Sequence, residues 1–186
     1  MRIVAGAYRG RTLVAPKGHS TRPTSDRARQ AMFNVLEHAT WGRSLAGSRV
    51  LDGFAGSGAL GLEALSRGAA FCLLADNDPS ARAAIAANHA ALGCAERARV
   101  AGWDMSRLAP RGLETPIDLV FLDPPYRSGL AEVALAGLAA GGWLSAGALA
   151  VVERGENEGL LAAAGYAALD ERAWGKSRVS FRKFEG

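Results

Sequence analysis

Short apolar runs and stretches of helical periodicity alternate along most of this 186-residue chain. Val50 and Leu51 run into Asp52, giving a strand over Arg49–Phe54, and the Ala/Leu/Glu segment Ala59–Ser66 beyond it has good helix propensity. The alternation continues with strand Phe71–Asp76, helix Pro79–Leu92 and a short strand near Arg99–Ala101. Strand Ile117–Asp123, helix Leu130–Ala140 stopped by Gly141-Gly142, and strand Ala148–Glu153 complete it. These strands are continuous apolar runs, the pattern of a parallel sheet covered on both faces. The tail differs, because Tyr166–Trp174 and Ser177–Phe184, joined by a short Gly-Lys turn, read as an antiparallel hairpin.

Ahead of the alternation, Ile3-Val4 and Thr12-Leu13-Val14 flank a glycine-containing turn at Gly6–Gly10 and predict a hairpin over Arg2–Pro16. A lone hairpin is marginal, so it must dock on the rest. After the polar loop Lys17–Pro23, Thr24 or Ser25 is the expected N-cap of a helix running to about Ala39. Asp26 favours its first turn, and Ala28, Met32, Val35, Leu36 and Ala39 form its apolar stripe. Trp41–Ser48 connects it to the opening strand. The pattern predicts an α/β fold: a doubly wound, mostly parallel seven-stranded sheet ending in an antiparallel hairpin, with a small N-terminal β-hairpin plus helix.

Composition changes this picture little, and charge changes it more. No apolar stretch approaches a membrane span and the first residues do not form a signal peptide, so a soluble cytoplasmic protein is expected. Cys72 and Cys94 lack metal-ligand spacing, and no metal is expected. His19, His38 and His89 are scattered with no shared carboxylate. Residues 1–29 carry seven bases against Asp26 alone, whereas residues 30–169 carry ten bases against fourteen acids. The basic charge therefore clusters on the N-terminal piece, which points to a polyanionic partner. Coding bias explains why the bases are arginines but not why they cluster.

Gly56, Gly58 and Gly61 match the G-x-G-x-x-G spacing of a dinucleotide site, with Asp76 twenty residues beyond Gly56. Asp52 argues for a different cofactor. A carboxylate just before the glycine turn would repel a pyrophosphate, at a cost of about a kcal/mol or more. S-adenosylmethionine carries a sulfonium and an ammonium instead, and Asp52 then becomes an asset. Asp76, with Asn77 beside it, would take the ribose hydroxyls. Asp104 would accept from the adenine amino group, with Phe54, Trp103 or Met105 near the adenine face. The glycines alone fit either cofactor. Asp52, Asp76, Asp104 and Asp123 fall at or just past successive strand ends, the edge where such sheets bind ligands.

Asp123-Pro124-Pro125-Tyr126 follows Leu119-Val120-Phe121-Leu122 directly. Prolines leave carbonyls that no helix or ladder claims. The Asp123 carboxylate and the Pro124 carbonyl can bind both hydrogens of an exocyclic amine and aim its lone pair at a methyl donor. Tyr126 can stack on the base, which must be turned out of its helical stack. Catalysis is then mainly positioning.

Leu51–Gly61 and Asp123–Tyr126 resemble the cofactor and catalytic motifs of class I S-adenosylmethionine-dependent amino-methyltransferases. The stretch Arg22-Pro23-Thr24-Ser25-Asp26-Arg27-Ala28-Arg29-Gln30-Ala31-Met32-Phe33-Asn34 sharpens this. Together with G-x-Y-R-G-R at Gly6–Arg11 and E-A-L-S-R-G-A at Glu63–Ala69, it closely resembles the RsmD family nearly end to end. Those are bacterial enzymes that methylate N2 of a guanine in small-subunit ribosomal RNA. The resemblance implies a Rossmann-like methyltransferase domain over 41–186 and a basic extension over 1–40 that meets RNA.

It also implies roles for residues. Asp123, Pro124 and Tyr126 would be catalytic, and Asp52, Phe54, Gly56, Gly58, Asp76, Asn77, Asp104 and Met105 would hold S-adenosylmethionine. Arg9, Arg11, Arg22, Arg27 and Arg29 would contact RNA, with Arg127 on a phosphate near the flipped nucleotide. The expected partner is 16S ribosomal RNA in a small-subunit particle with ribosomal proteins, met by a monomer and without a membrane. Gln30 and Asp76 stand where glutamates are expected, the first removing an ion pair from the helix. Trp174, Lys176 and Arg178 read as a hairpin packing its tryptophan. Rival readings are an adenine-N6 methyltransferase on DNA or RNA, a cofactor-bound RNA-binding assembly factor without turnover, and, more distantly, a nicotinamide oxidoreductase.

Overall fold

A computed structural model describes residues 1–16, 25–110 and 115–186. Helix α1 (Asp26–His38) precedes β1 (Arg49–Gly53), α2 (Ala59–Ser66), β2 (Phe71–Ala75) and α3 (Pro79–Leu92). Then come β3 (Ala98–Ala101), β4 (Ile117–Leu122), α4 (Leu130–Ala140), β5 (Leu144–Gly155), β6 (Tyr166–Trp174) and β7 (Ser177–Phe184). The seven strands form one sheet in the order β3-β2-β1-β4-β5-β7-β6. Only β7 breaks the parallel run, pairing antiparallel with both β5 and β6. The strand order reverses between β1 and β4, which pair as Asp52 with Phe121 and Gly53 with Leu122. That reversal opens a crevice at the carboxyl edge of the sheet.

Alternate strand residues feed two cores. Val50, Cys72, Leu74, Leu119, Phe121 and Val151 join side chains of α1, α2 and α3 on one face. Leu51, Leu73, Val120, Leu122 and Val152 join α4 on the other. Sheets buried on both sides need apolar residues at every position, which is why the strands read as unbroken apolar runs. Strand β5 begins at Leu144, earlier than the expected Ala148. Ser145 stabilises that extension by donating to Asp118 and to the Ile117 carbonyl, across an irregularity in the β4–β5 register.

The N-terminal hairpin is present as a loop closed by a single bridge, Arg2 to Thr12, rather than by two strands. Its docking is specific. Val4 and Ala5 donate their amides to Glu63, and Ala7 and Tyr8 donate theirs to the Ser66 carbonyl and hydroxyl. Gly6 approaches α2 so closely that a Cβ there would lie 1.9 Å from the Ser66 oxygen. Ile3 and Leu13 are buried with Met32, Phe33 and Leu36 of α1, so this segment shares the core of the sheet. Ser25, rather than Thr24, caps α1 by accepting from the Ala28 amide at 3.1 Å.

Candidate active site

The glycine turn grows out of the end of β1. Gly56 and Gly58 have positive φ. Gly61 lies where α2 crosses the sheet, and a Cβ there would meet the Cys72 sulfur at 2.5 Å. Asp76, just past β2, accepts from the Gly56 amide at 2.9 Å through one oxygen and from the Asp78 amide through the other. Each oxygen keeps a lone pair for a further donor. Asp78 in turn caps α3 by accepting from the Ser80 amide. Asn77 stands exposed beside Asp76.

Asp52 is only 1% exposed and accepts from the Gly61 amide at 2.8 Å. Burial pushes its carboxyl up to about 8; the Gly61 bond opposes the rise and the Asp76 charge adds to it. Met105, past β3, is buried against the end of β1, where a Cβ on Gly53 would come within 2.9 Å of its terminal methyl. Asp104 accepts from both the hydroxyl and the amide of Ser106, which hold its carboxyl below the usual range. Trp103 is committed elsewhere, edge-on to Trp143 with ring centroids 5.1 Å apart.

Across the crevice, Asp123 follows Leu122 and is half-buried, with Pro124 buried behind it. Among the described residues no hydrogen bond uses the Pro124 carbonyl. Burial, then the carboxylates of Glu153 and Asp52, raise the Asp123 carboxyl well above the ordinary range. Tyr126 is 49% exposed, so its ring is open to a stacking partner. Its hydroxyl lies 3.1 Å from the Ser177 hydroxyl and donates to Glu153 at 3.4 Å. Ser177 donates to the same Glu153 oxygen at 2.6 Å. This joint ties the loop after β4 to β5 and to the C-terminal hairpin.

Among the described residues, two non-glycine residues have positive φ: Phe54 at 61° and Arg127 at 58°. One opens the glycine turn and the other follows Tyr126. Such backbone costs about 1–3 kcal/mol and persists where a site requires it.

A cleft of about 630 Å³ opens beside Tyr126. Ser25, Arg27 and Ala28 of the first turn of α1 form one wall, and Trp174, Lys176 and Ser177 of the β6–β7 turn form the other. Arg9 and Arg127 are exposed, and Arg11 is exposed with its guanidinium on the Ala91 carbonyl at 2.6 Å. Arg22 lies outside the described residues.

Arg29 corrects the sequence reading. It is 1% exposed, bonded to Asp26 at 2.8 Å and to the Arg2 carbonyl, and 3.7 Å from Glu63. A guanidinium enclosed by its own fold cannot meet RNA. Gln30 keeps a contact where an ion pair was thought lost, because its carbonyl accepts from Arg67 at 3.2 Å. Glu153 is a site residue that the sequence reading does not single out, although it lies near the carboxyl end of β5, at the same sheet edge as the other acids. Trp174 packs on Phe181 as expected. It also lines the cleft together with Lys176, a placement that only the pairing of distant strands creates.

Strand order, glycine turn and edge acids together define the class I methyltransferase fold. The model of the family described as Conserved hypothetical protein 95 matches residues 1–183. The chain is 42% identical over 160 residues to ribosomal RNA small subunit methyltransferase D of Escherichia coli strain K12, covering 86% of this chain and 77% of that one. It is 35% identical over 187 residues to the protein of the same name in Haemophilus influenzae, covering 100% and 93%. The solved structure of yhhF from Escherichia coli superposes with a TM-score of 0.86 at 38% identity, covering 100% of this chain and 98% of that one. The chain belongs to this family, the RsmD family.

Proposed function

We propose that this protein transfers a methyl group from S-adenosylmethionine to N2 of a guanine in 16S ribosomal RNA, acting as a cytoplasmic monomer on a small-subunit particle with its ribosomal proteins. The observation that carries the reading is Asp123-Pro124-Pro125-Tyr126 at the reversal between β1 and β4, with an uncommitted Pro124 carbonyl and an open tyrosine ring. The names of the relatives support ribosomal RNA as substrate.

The residues present fit a cationic cofactor. Burial holds Asp52 and Asp123 toward the neutral form, and the Asp52 charge adds to the cost of ionising Asp123, so a cation is welcome there and a pyrophosphate is not. Asp52, Phe54, Gly56 and Gly58 would shape the methionine end, Asp76 and Asn77 the ribose, and Asp104 and Met105 the adenine. When bound, S-adenosylmethionine supplies an electrophilic methyl on a sulfonium. Asp123 and the Pro124 carbonyl accept the two amino hydrogens and direct the nitrogen lone pair at that methyl. Tyr126 stacks on the guanine, and Asp123 receives the proton that the amine loses. Residues 1–40 serve as an RNA-contacting extension through Arg9, Arg11 and Arg27, with Arg22 in the same role, and Arg127 contacts phosphate.

The test is tritium-labelled methyl transfer to small-subunit particles and to duplex DNA, followed by nucleoside analysis. Label in N2-methylguanosine is expected. Label in N6-methyladenosine alone would overturn the reading.

A further inference from the structure

The cleft beside Tyr126 has walls from opposite ends of the chain. The start of α1 contributes Ser25, Arg27 and Ala28, and the β6–β7 turn contributes Trp174, Gly175, Lys176 and Ser177. Its volume of about 630 Å³ falls within the range of about 300–1,000 Å³ that pocket-bound ligands occupy. Among the described residues no acid lines it. Among the described residues neither Arg27 nor Lys176 takes part in an ion pair, although the neighbouring Arg29, Arg172 and Arg178 all do. Two cations and two aromatic rings, with no acid among the described lining residues, form the kind of surface that single-stranded nucleic acid recognises. The first turn of a 13-residue helix adds its partial positive charge to the same wall.

We propose that this cleft binds the nucleotide strand flanking the target guanosine, with a phosphate held between Arg27 and Lys176 and a neighbouring base against Trp174. The proposal rests on the RNA methyltransferase reading above and assigns its C-terminal hairpin a part in substrate binding. Continuity with Tyr126 supplies the geometry, because a strand leaving a base stacked there passes directly into the cleft. The Ser177 hydroxyl and Tyr126 meet on Glu153, so the wall and the stacking ring are fixed to each other. An acidic protein segment would match the charges but leaves the aromatic wall without a role.

Arg27→Gln, Lys176→Gln and Trp174→Phe test this, with Arg172→Gln, whose partner is Asp170, as the control outside the cleft. With small-subunit particles, the two glutamine variants are expected to raise KM about tenfold to a hundredfold, the range for one charge-assisted hydrogen bond, with the loss on KM rather than kcat. In binding to a short single-stranded oligoribonucleotide, each is expected to lower the slope of log K against log salt by about 0.7. Quenching of tryptophan fluorescence by that oligonucleotide should disappear in Trp174→Phe. Unchanged KM and unchanged salt slope in folded variants would overturn the proposal. So would a KM effect confined to protein-bearing particles with oligonucleotide binding intact, which would mark an acidic protein as the occupant. If the wild-type protein methylates no RNA, the functional reading falls, whereas the oligonucleotide measurements read the cleft independently.

Discussion

Glu63 and Asp123 are acids withdrawn from water in the same small domain, yet their surroundings are opposite. Glu63, 0% exposed, accepts the amides of Val4 and Ala5, pairs with Arg67 at 2.9 Å and has Arg29 at 3.7 Å. Arg67 continues to Glu37 at 2.8 Å and lies over the Phe33 ring. Asp123 instead has the carboxylates of Glu153 and Asp52 as neighbours. The first arrangement is satisfied within the fold and locks the N-terminal segment onto α2. Among the described residues Asp123 takes part in no ion pair, which suits the cationic cofactor proposed above. Buried acids at a structural joint are paired with cations, whereas acids clustered with like charges are the pattern of a functional site.

The largest expected effect breaks the second arrangement. Asp123→Ala should reduce methyl incorporation by about a hundredfold to ten-thousandfold, the worth of a positioned proton acceptor. Its melting temperature should hold or rise, since a costly buried carboxyl has been removed. Equal incorporation in variant and wild type would show that the motif is not catalytic.

Breaking the first arrangement should damage the fold instead. Glu63→Ala leaves the Val4 and Ala5 amides without their acceptor and removes a carboxylate from buried Arg67 and Arg29, at a cost of about 3–5 kcal/mol. For a chain of this size that lowers the melting temperature by about 10 °C in a thermal scan. Arg29→Gln should follow it in direction while Arg27→Gln leaves the melting temperature unchanged. Equal melting temperatures for Arg29→Gln and wild type would refute the structural role given to Arg29.

A pH scan sharpens the contrast. The Asp52 carboxyl titrates near 3.8 when unfolded and near 8 when folded, so the folded state holds the extra proton between those values. Its contribution to stability is complete below about pH 4 and is lost as pH rises through about 8. The melting temperature of cofactor-free protein should therefore fall by about 10 °C as pH rises from 5 to 8, and Asp52→Asn should shrink that fall. A scan with the same slope in Asp52→Asn would remove Asp52 as its source.

The smallest effect concerns the joint at Tyr126. Tyr126→Phe keeps the ring and loses the hydroxyl that meets Ser177 and Glu153. One net hydrogen bond is worth about 0.5–1.5 kcal/mol, so a roughly two- to tenfold rise in KM is expected, and a double-mutant cycle with Ser177→Ala should show the two effects coupled. Additive effects would mean that the joint does not position the ring.

Much of the fold was legible before any coordinates, for local reasons. Helices Ala59–Ser66, Pro79–Leu92 and Leu130–Ala140 and the hairpin strands Tyr166–Trp174 and Ser177–Phe184 have the bounds that their periodicity and turn residues predict. The strand-end acids are equally local, because an apolar run of known length fixes where its edge falls. The N-terminal segment was the harder part. Its motifs looked like an RNA surface, but Gly6, Glu63, Ser66 and Arg29 are largely an internal docking joint. A run of arginines in sequence does not show which ones a helix turns inward.

The sequence by itself determined the element order, the glycine turn, Asp52, and the Asp123–Tyr126 motif with the amine chemistry it suits. Each of these depends on residues that are neighbours along the chain. Only the tertiary structure decided that Arg29 is enclosed while Arg27 faces a cleft, and that Glu153 stands beside Asp123. It alone joined the Trp174–Ser177 turn to α1. Those relations depend on β4 pairing with β5 and β5 with β7, and on side-chain burial across 34 residues between Arg29 and Glu63, which no local pattern encodes.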